Sequence, residues 1–413
     1  MLRFSEITKQ GYKMKSIIVY ILGFTFLVLT MLVKYHGLPH EAYAQLVGEV
    51  FRSENTDSIL RDSFLGRHTV YFTLLKILHL DIRIYEVGLA FHIVLSLLAL
   101  ACVVFILRWD LGIYDPALII LSIAVIAFAD NRILPCTYAG PVMGLAGTPA
   151  AVAHALSFLV ILLILRQRYY WAAVVFTAAC AFNPRGIFVL YPILAGGILL
   201  NSMSSWPAVL IPGIWGAIQY SGLESVSIAE IIQRDGSESH IPLIEWRRLL
   251  AFMLVFPLFA ILNKYNPAQF RRTGELVLWT SLAVFCGGWV YQTWIYQKFP
   301  LPEVWLLSPV RGMSCFVLFV HLSLVRLIGI RVPAVRREFV LGMLAFAYLI
   351  GIGYPLAWIA TGFLAIMPVT PFTAASLCII VLILQLARME KGPRIYPVLS
   401  NYDQAHTWGQ INK

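Results

Sequence analysis

Residues 54–80, ENTDSILRDSFLGRHTVYFTLLKILHL, join an acidic stretch to a short apolar one. Glu54, Asp57 and Asp62 crowd the first half. The second half, Thr69–Leu80, is apolar but too short to cross about 30 Å of hydrocarbon, which takes roughly 20 helical residues. It reads as a short helix lying at a membrane interface. Carboxylates recur through the whole segment from Tyr35 to Arg83, including Glu41, Glu49 and Asp81. Ordered acidic groups beside a membrane surface predict polar chemistry there, and favour an enzyme over a passive pore.

The flanking sequence sets the class. Apolar residues make up 60% of 413 positions and charged residues 13%, against about 45–50% and 25% in soluble domains. Long apolar runs recur throughout, so the chain is expected to be an all-α, polytopic integral membrane protein. In hydrocarbon each backbone polar group must be paired internally, and runs of this length suit helices better than barrel strands. Ser16–Val33 precedes the acidic loop. Ala42-Tyr43-Ala44 has the composition of a signal-peptidase site, but it lies well past a long apolar core, so the run reads as an uncleaved anchor.

Further spans are expected at Tyr85–Leu107, Pro116–Ala129, Ala150–Leu165, Tyr169–Phe182, Gly186–Leu200, Trp206–Tyr220, Leu249–Asn263, Leu276–Ile295, Met313–Val325, Phe339–Met367 and Pro371–Ala387. Phe339–Met367 is interrupted at Gly353-Tyr354-Pro355 and is open between one kinked helix and a hairpin. The expectation is one multi-pass domain over 1–413, with about 12 transmembrane helices (about 11–13) and an acidic external loop at 35–83.

Charge orients this arrangement. With both termini cytoplasmic, the inside segments hold 18 of the 31 Lys and Arg but only 7 of the 21 Asp and Glu. That is the positive-inside asymmetry, and basic loops against anionic lipid account for the net charge of +10 without nucleic acid. The six cysteines form no CxxC pair, and all but Cys136 fall in apolar spans, where they act as small packing residues. Neither a Walker loop nor GxGxxG is present. His92, His154 and His321 lack ligand spacing and read as satisfied core histidines. Trp and Tyr near span ends, such as Trp109, Trp171, Trp206, Trp289 and Trp294, fit an aromatic belt.

The expected outer face collects the remaining polar groups. Asp130-Asn131-Arg132 follows the third span, Asn183-Pro184-Arg185 separates two short runs, and Lys298–Gly312 ends in Ser308-Pro309-Val310-Arg311. Arg132, Arg185 and Arg311 stand at the lips of spans, where an unpaired charge is costly. The planar guanidinium matches phosphate oxygens and stays charged when partly dehydrated, so these three are candidate phosphate ligands. An internal ion pair, Asp130 with Arg132 or Arg185, is the alternative. Asp57 and Asp62, held near the surface, are candidates to take a proton from an attacking hydroxyl, since partial burial raises a carboxylate pKa towards the working range. Helix capping is their plainer use.

The order of an N-terminal span, an external acidic loop with a short interfacial helix, and a run of short spans resembles the GT-C superfamily of polytopic glycosyltransferases. His40-Glu41-Ala42-Tyr43 is similar to that family's acidic-acidic-x-Tyr element, with His40 replacing one acid. Asp57-Ser58-Ile59-Leu60-Arg61-Asp62-Ser63-Phe64 resembles its second acidic patch. Ala178–Leu190 resembles its His-Pro-aliphatic segment, Asn183 standing where His is usual. The likeness covers roughly the first half of the chain.

The resemblance implies inverting transfer from a polyprenyl-phosphate-linked sugar to a glycan, lipid or protein acceptor on the non-cytoplasmic face of a membrane, bacterial inner (plasma) membrane being the expected location. Asp62 would be the base, with Asp57 and Glu41 beside it. Arg132, Arg185 and Arg311 would stabilise the departing phosphate, supported by Asp130 and Asn183. Carboxylates suit Mg²⁺ or Mn²⁺, but no dense ligand cluster is visible, so a metal stays open. The donor and membrane lipid are the expected partners. An O-antigen-type polymerase or ligase is one rival, although the Ser221–Arg248 loop is small for it. A lipid or solute transporter is the other, and it would predict an internal repeat and polar groups at mid-membrane.

Overall fold

The computed structural model describes residues 69–82, 84–128, 149–183, 187–220, 246–295 and 313–332, together with 25, 298–299, 337 and 340. All of these lie in the first of two units, Met1–Ala365; the second unit, Ile366–Lys413, and the expected spans Ser16–Val33, Phe339–Met367 and Pro371–Ala387 are outside them apart from those isolated positions. The described residues are helical and contain no strand.

Among the described residues ten α-helices follow one another: α1 (Thr69–Ile77), α2 (Tyr85–Phe105), α3 (Pro116–Phe128), α4 (Pro149–Leu165), α5 (Tyr169–Phe182), α6 (Leu190–Asn201), α7 (Leu210–Tyr220), α8 (Trp246–Asn263), α9 (Ala268–Val290) and α10 (Ser314–Arg331). Two of them run on into a single π turn, α2 through Ile106–Asp110 and α9 through Tyr291–Ile295, and a 3₁₀ segment, Met203–Val209, leads into α7. With their extensions, Glu86–Asp110 and Ala268–Ile295 are long and apolar enough to cross a membrane; Pro149–Leu165, Tyr169–Phe182 and Leu190–Asn201 are apolar but shorter.

The sequences of α3, α4 and α6 are apolar on every face. That pattern belongs to helices buried all round or set in lipid. Large apolar side chains also point outward, Trp171 being 66% exposed and Trp279 65%.

The longest contact in the bundle is the hairpin of α4 and α5. Its turn is three residues, Arg166–Arg168, and Gln167 takes a left-handed φ of 56° to close it. The Arg168 N–H donates to the Leu163 carbonyl at 2.9 Å, and the Gln269 amide donates to the Leu165 carbonyl. The last carbonyls of α4, which no helical N–H reaches, are thereby used. Further along the chain α8, α9 and α10 pack through aromatic rings. Phe316 lies 4.7 Å from Phe256 and 5.2 Å from Phe259, and Phe270 lies 4.9 Å from Phe319.

A polar knot ties the start of α9 to its neighbours. Asn263 donates from Nδ2 to the Arg271 carbonyl at 2.9 Å, while Asn266 Nδ2 reaches Asn263 Oδ1 at 3.0 Å and Ser323 Oγ at 2.8 Å. All three side chains are buried. Gly274 makes room for the knot: a Cβ there would stand 2.9 Å from Asn263 Cγ and closer still to Oδ1. Gly274→Ala is therefore expected to cost about 2–4 kcal/mol, overpacking and loss of a buried hydrogen bond acting together. Thermal unfolding in detergent checks this. The penalty should shrink in an Asn263→Ala background, where the obstructing amide is gone.

Candidate functional site

Contacts sort the helix ends into two groups. At one end, Arg166 of the α4–α5 turn lies 3.5 Å from Asp110 in the π turn after α2, an ion pair at the outer edge of hydrogen-bonding range. The same guanidinium sits 5.0 Å from the Trp109 ring centroid, and Trp109 stacks on Phe105 at 4.5 Å. Gly112, at φ 64°, brings the α2–α3 connection beside Arg326 of α10. Tyr169 hydrogen-bonds with Asn201, adding the start of α5 and the end of α6. The Asn263–Asn266–Ser323 knot belongs to this end as well. Among the described residues cations outnumber acids here: Arg108, Arg166, Arg168, Lys264, Arg271, Arg272, Arg326 and Arg331 stand against Asp110, Asp115 and Glu275.

At the opposite end lies Asn183, the one expected site residue among the described residues. The apolar segment after the acidic loop forms α1, three residues shorter than expected, and stops at a turn in which His79 has φ 52°. Tyr71, Phe72 and Leu75 are buried against Phe91 and Leu95 of α2, Val152 and Leu156 of α4, and Phe182 of α5. Ile77 and Leu78 face outward, 68% and 52% exposed. The segment thus carries one apolar face into the bundle and another away from it. Tyr71 meets Phe182 edge-on at 6.4 Å. The next residue is Asn183.

Asn183 terminates α5 in extended backbone (φ −162°, ψ 110°), its N–H donating to the Ala179 carbonyl at 3.0 Å. Pro184 is the cause, because a proline's ring disfavours helical geometry at the residue before it. Asn183 is half-buried and makes a further interaction besides that backbone bond. Of the other expected site residues, Glu41, Asp57, Asp62, Asp130, Arg132, Arg185 and Arg311 lie outside the described residues. Among the described residues no three His, Cys, Asp or Glu side chains gather as metal ligands. His92, His154 and His321 are all buried and all engaged, His321 with the Val317 carbonyl one turn back.

Gln292 is a site candidate that hydropathy and motif spacing pass over. It lies in the π turn that ends α9 and is 6% exposed, yet among the described residues neither Oε1 nor Nε2 has a hydrogen-bond partner. Neighbouring Thr293 also leaves Oγ1 unpartnered, although a helical threonine ordinarily bonds back to the carbonyl a turn earlier. Leaving a buried polar group unmet costs about 1–3 kcal/mol. The π turn brings Trp289 and Trp294 together, their centroids 5.5 Å apart. Its one trace in the sequence is a glutamine in an aromatic-rich run after a long apolar helix.

No protein-family model, curated protein or solved structure matches this chain. Tyr71→Ala tests the docking of α1. Removing a fully buried aromatic ring should cost about 3–5 kcal/mol, and hydrogen exchange should speed up across 69–77 ahead of α4 and α5. Uniform loss of protection would show that α1 has no separate docking.

Proposed function

We propose that the protein is a polytopic membrane glycosyltransferase of GT-C type, moving a sugar from a polyprenyl-phosphate carrier to a glycan, lipid or protein acceptor on the non-cytoplasmic face. The observation that carries this is the packing of α1 on α5: Tyr71 against Phe182 brings the helix after the acidic loop beside the Asn183-Pro184 break. The break lies in Ala178–Leu190, one of the three local matches to the family, and α1 is the short helix in the order of elements that resembles it; the two are far apart in the sequence.

The opposite end, rich in arginine, faces the cytoplasm in this arrangement, as the positive-inside rule asks. The remaining apolar runs complete about 12 spans. Asp62 takes the proton from the acceptor hydroxyl while that oxygen attacks the anomeric carbon from the face opposite the leaving phosphate. Asp57 and Glu41 flank it. Arg132, Arg185 and Arg311 offset the charge that grows on the departing phosphate oxygen. Inversion at the anomeric carbon follows from the single displacement.

Asp62→Asn keeps the size of the side chain and removes its basicity. Sugar transfer by the purified protein should fall about 10²–10⁴-fold with the melting temperature unchanged. Wild-type transfer by this variant would remove Asp62 from the chemistry. Lipid export persisting in the variant, with no transfer by either protein, would instead make the chain a transporter.

A further inference from the structure

We propose that Gln292 recognises the sugar of the transferred group, its amide bridging two neighbouring hydroxyls of the ring. The proposal rests on the transferase assignment above and extends it to a residue in the second half of the chain.

The amide's two ends decide the class of ligand. Oε1 needs a donor and Nε2 needs acceptors, and both are buried and unmet. Phosphate oxygens only accept, so a phosphate would leave Oε1 unsatisfied. A lipid chain offers neither. Adjacent hydroxyls on a sugar each donate and accept, and they can meet both ends of one planar amide. Thr293 Oγ1, unpartnered beside it, adds a further donor and acceptor.

The local backbone explains how such a group is held. On α9 the buried positions Val277, Ser281, Phe285 and Gly288 recur at intervals of three or four, and Gln292 continues that series four residues on. The inward stripe therefore ends in an amide. The π turn wraps one extra residue, which pairs Trp289 with Trp294 while Gln292 stays buried. Single π turns recur at functional sites for this reason, since they re-aim side chains within a helix.

The position along α9 agrees. Gln292 is 24 residues beyond Ala268, about 36 Å at 1.5 Å per residue. The hydrocarbon is roughly 30 Å thick, so a helix that starts at the arginine-rich end delivers Gln292 to the opposite interface. That is where the donor's headgroup would lie.

The test is lipid binding by the full-length protein in nanodiscs, using polyprenyl-phosphate-linked mannose, glucose and arabinose, with sugar-free polyprenyl phosphate as the control. Wild type should bind at least one sugar-bearing lipid more tightly than the control. Gln292→Met, which matches the length without the amide, should weaken that binding about tenfold, as loss of a buried ligand hydrogen bond does. Binding of the sugar-free lipid should be unchanged. Gln292→Asn, which withdraws the same amide by one methylene, should lose the sugar-dependent part too, and it serves if the methionine variant does not fold. Wild-type affinity for the sugar-bearing lipid in these variants overturns the proposal and leaves the transferase standing, with water holding the amide. A wild-type protein that binds no sugar-bearing lipid better than the control overturns both.

Discussion

A polar group shut away from water must find its partner inside the protein, and that constraint organises this chain more than any single contact. Helices answer it for the backbone, because every interior N–H meets a carbonyl within the same segment. Where helices end, side chains take over. Gln269 covers the last carbonyl of α4, Asn263 takes the Arg271 carbonyl, and Asn266 reaches across to Ser323. These bonds gather at the end where α4, α8 and α10 finish. Gly274 has no side chain because one of those amides occupies the space it would need.

The two ends of the bundle are built from different materials. One is basic and cross-linked by charge, rings and amides, as in the Asp110–Arg166–Trp109 group. The other is joined to α1 by apolar rings, with Tyr71 and Phe72 at the centre. A cationic, internally bonded end suits contact with anionic lipid and offers little open chemistry. An end capped by a short apolar helix can hold an acidic segment close to lipid. The division of labour proposed for the two faces follows from that contrast.

Much of the helical layout was legible from hydropathy, since uninterrupted apolar runs have few other ways to satisfy their backbone. Tyr169–Phe182 matches its expected bounds, and Tyr85–Leu107 and Pro116–Ala129 come within a few residues. The misplacements have a common cause. Helix α9 begins at Ala268, eight residues before the apolar run at Leu276, because Arg271, Arg272 and Glu275 are helical but polar. Helix α6 begins at Leu190, four residues after Gly186, since a turn over 187–189 is as apolar as the helix it precedes. Hydropathy marks the surroundings of a residue and does not mark its dihedral angles. The end of α5 at Asn183 was legible because Pro184 follows it. Gln292 was not, because an amide on the inward stripe of α9 falls in an aromatic-rich run that reads as an interfacial belt, and its lack of partners among the described residues exists only in three dimensions.

The unequal helix lengths carry a consequence of their own. With its π turn, Ala268–Ile295 spans 28 residues, about 42 Å, whereas the 14 residues of α5 and the 12 of α6 reach only about 21 and 18 Å. Under the proposed membrane placement, the polar first turns of α9 lie among the headgroups and its apolar run from Leu276 to Ile295 matches the hydrocarbon, whereas lipid bordering the short pair must compress or water must dip towards their ends. A thinned annulus there would bring the water-facing surface closer to the break after Phe182 than a bilayer of full thickness allows.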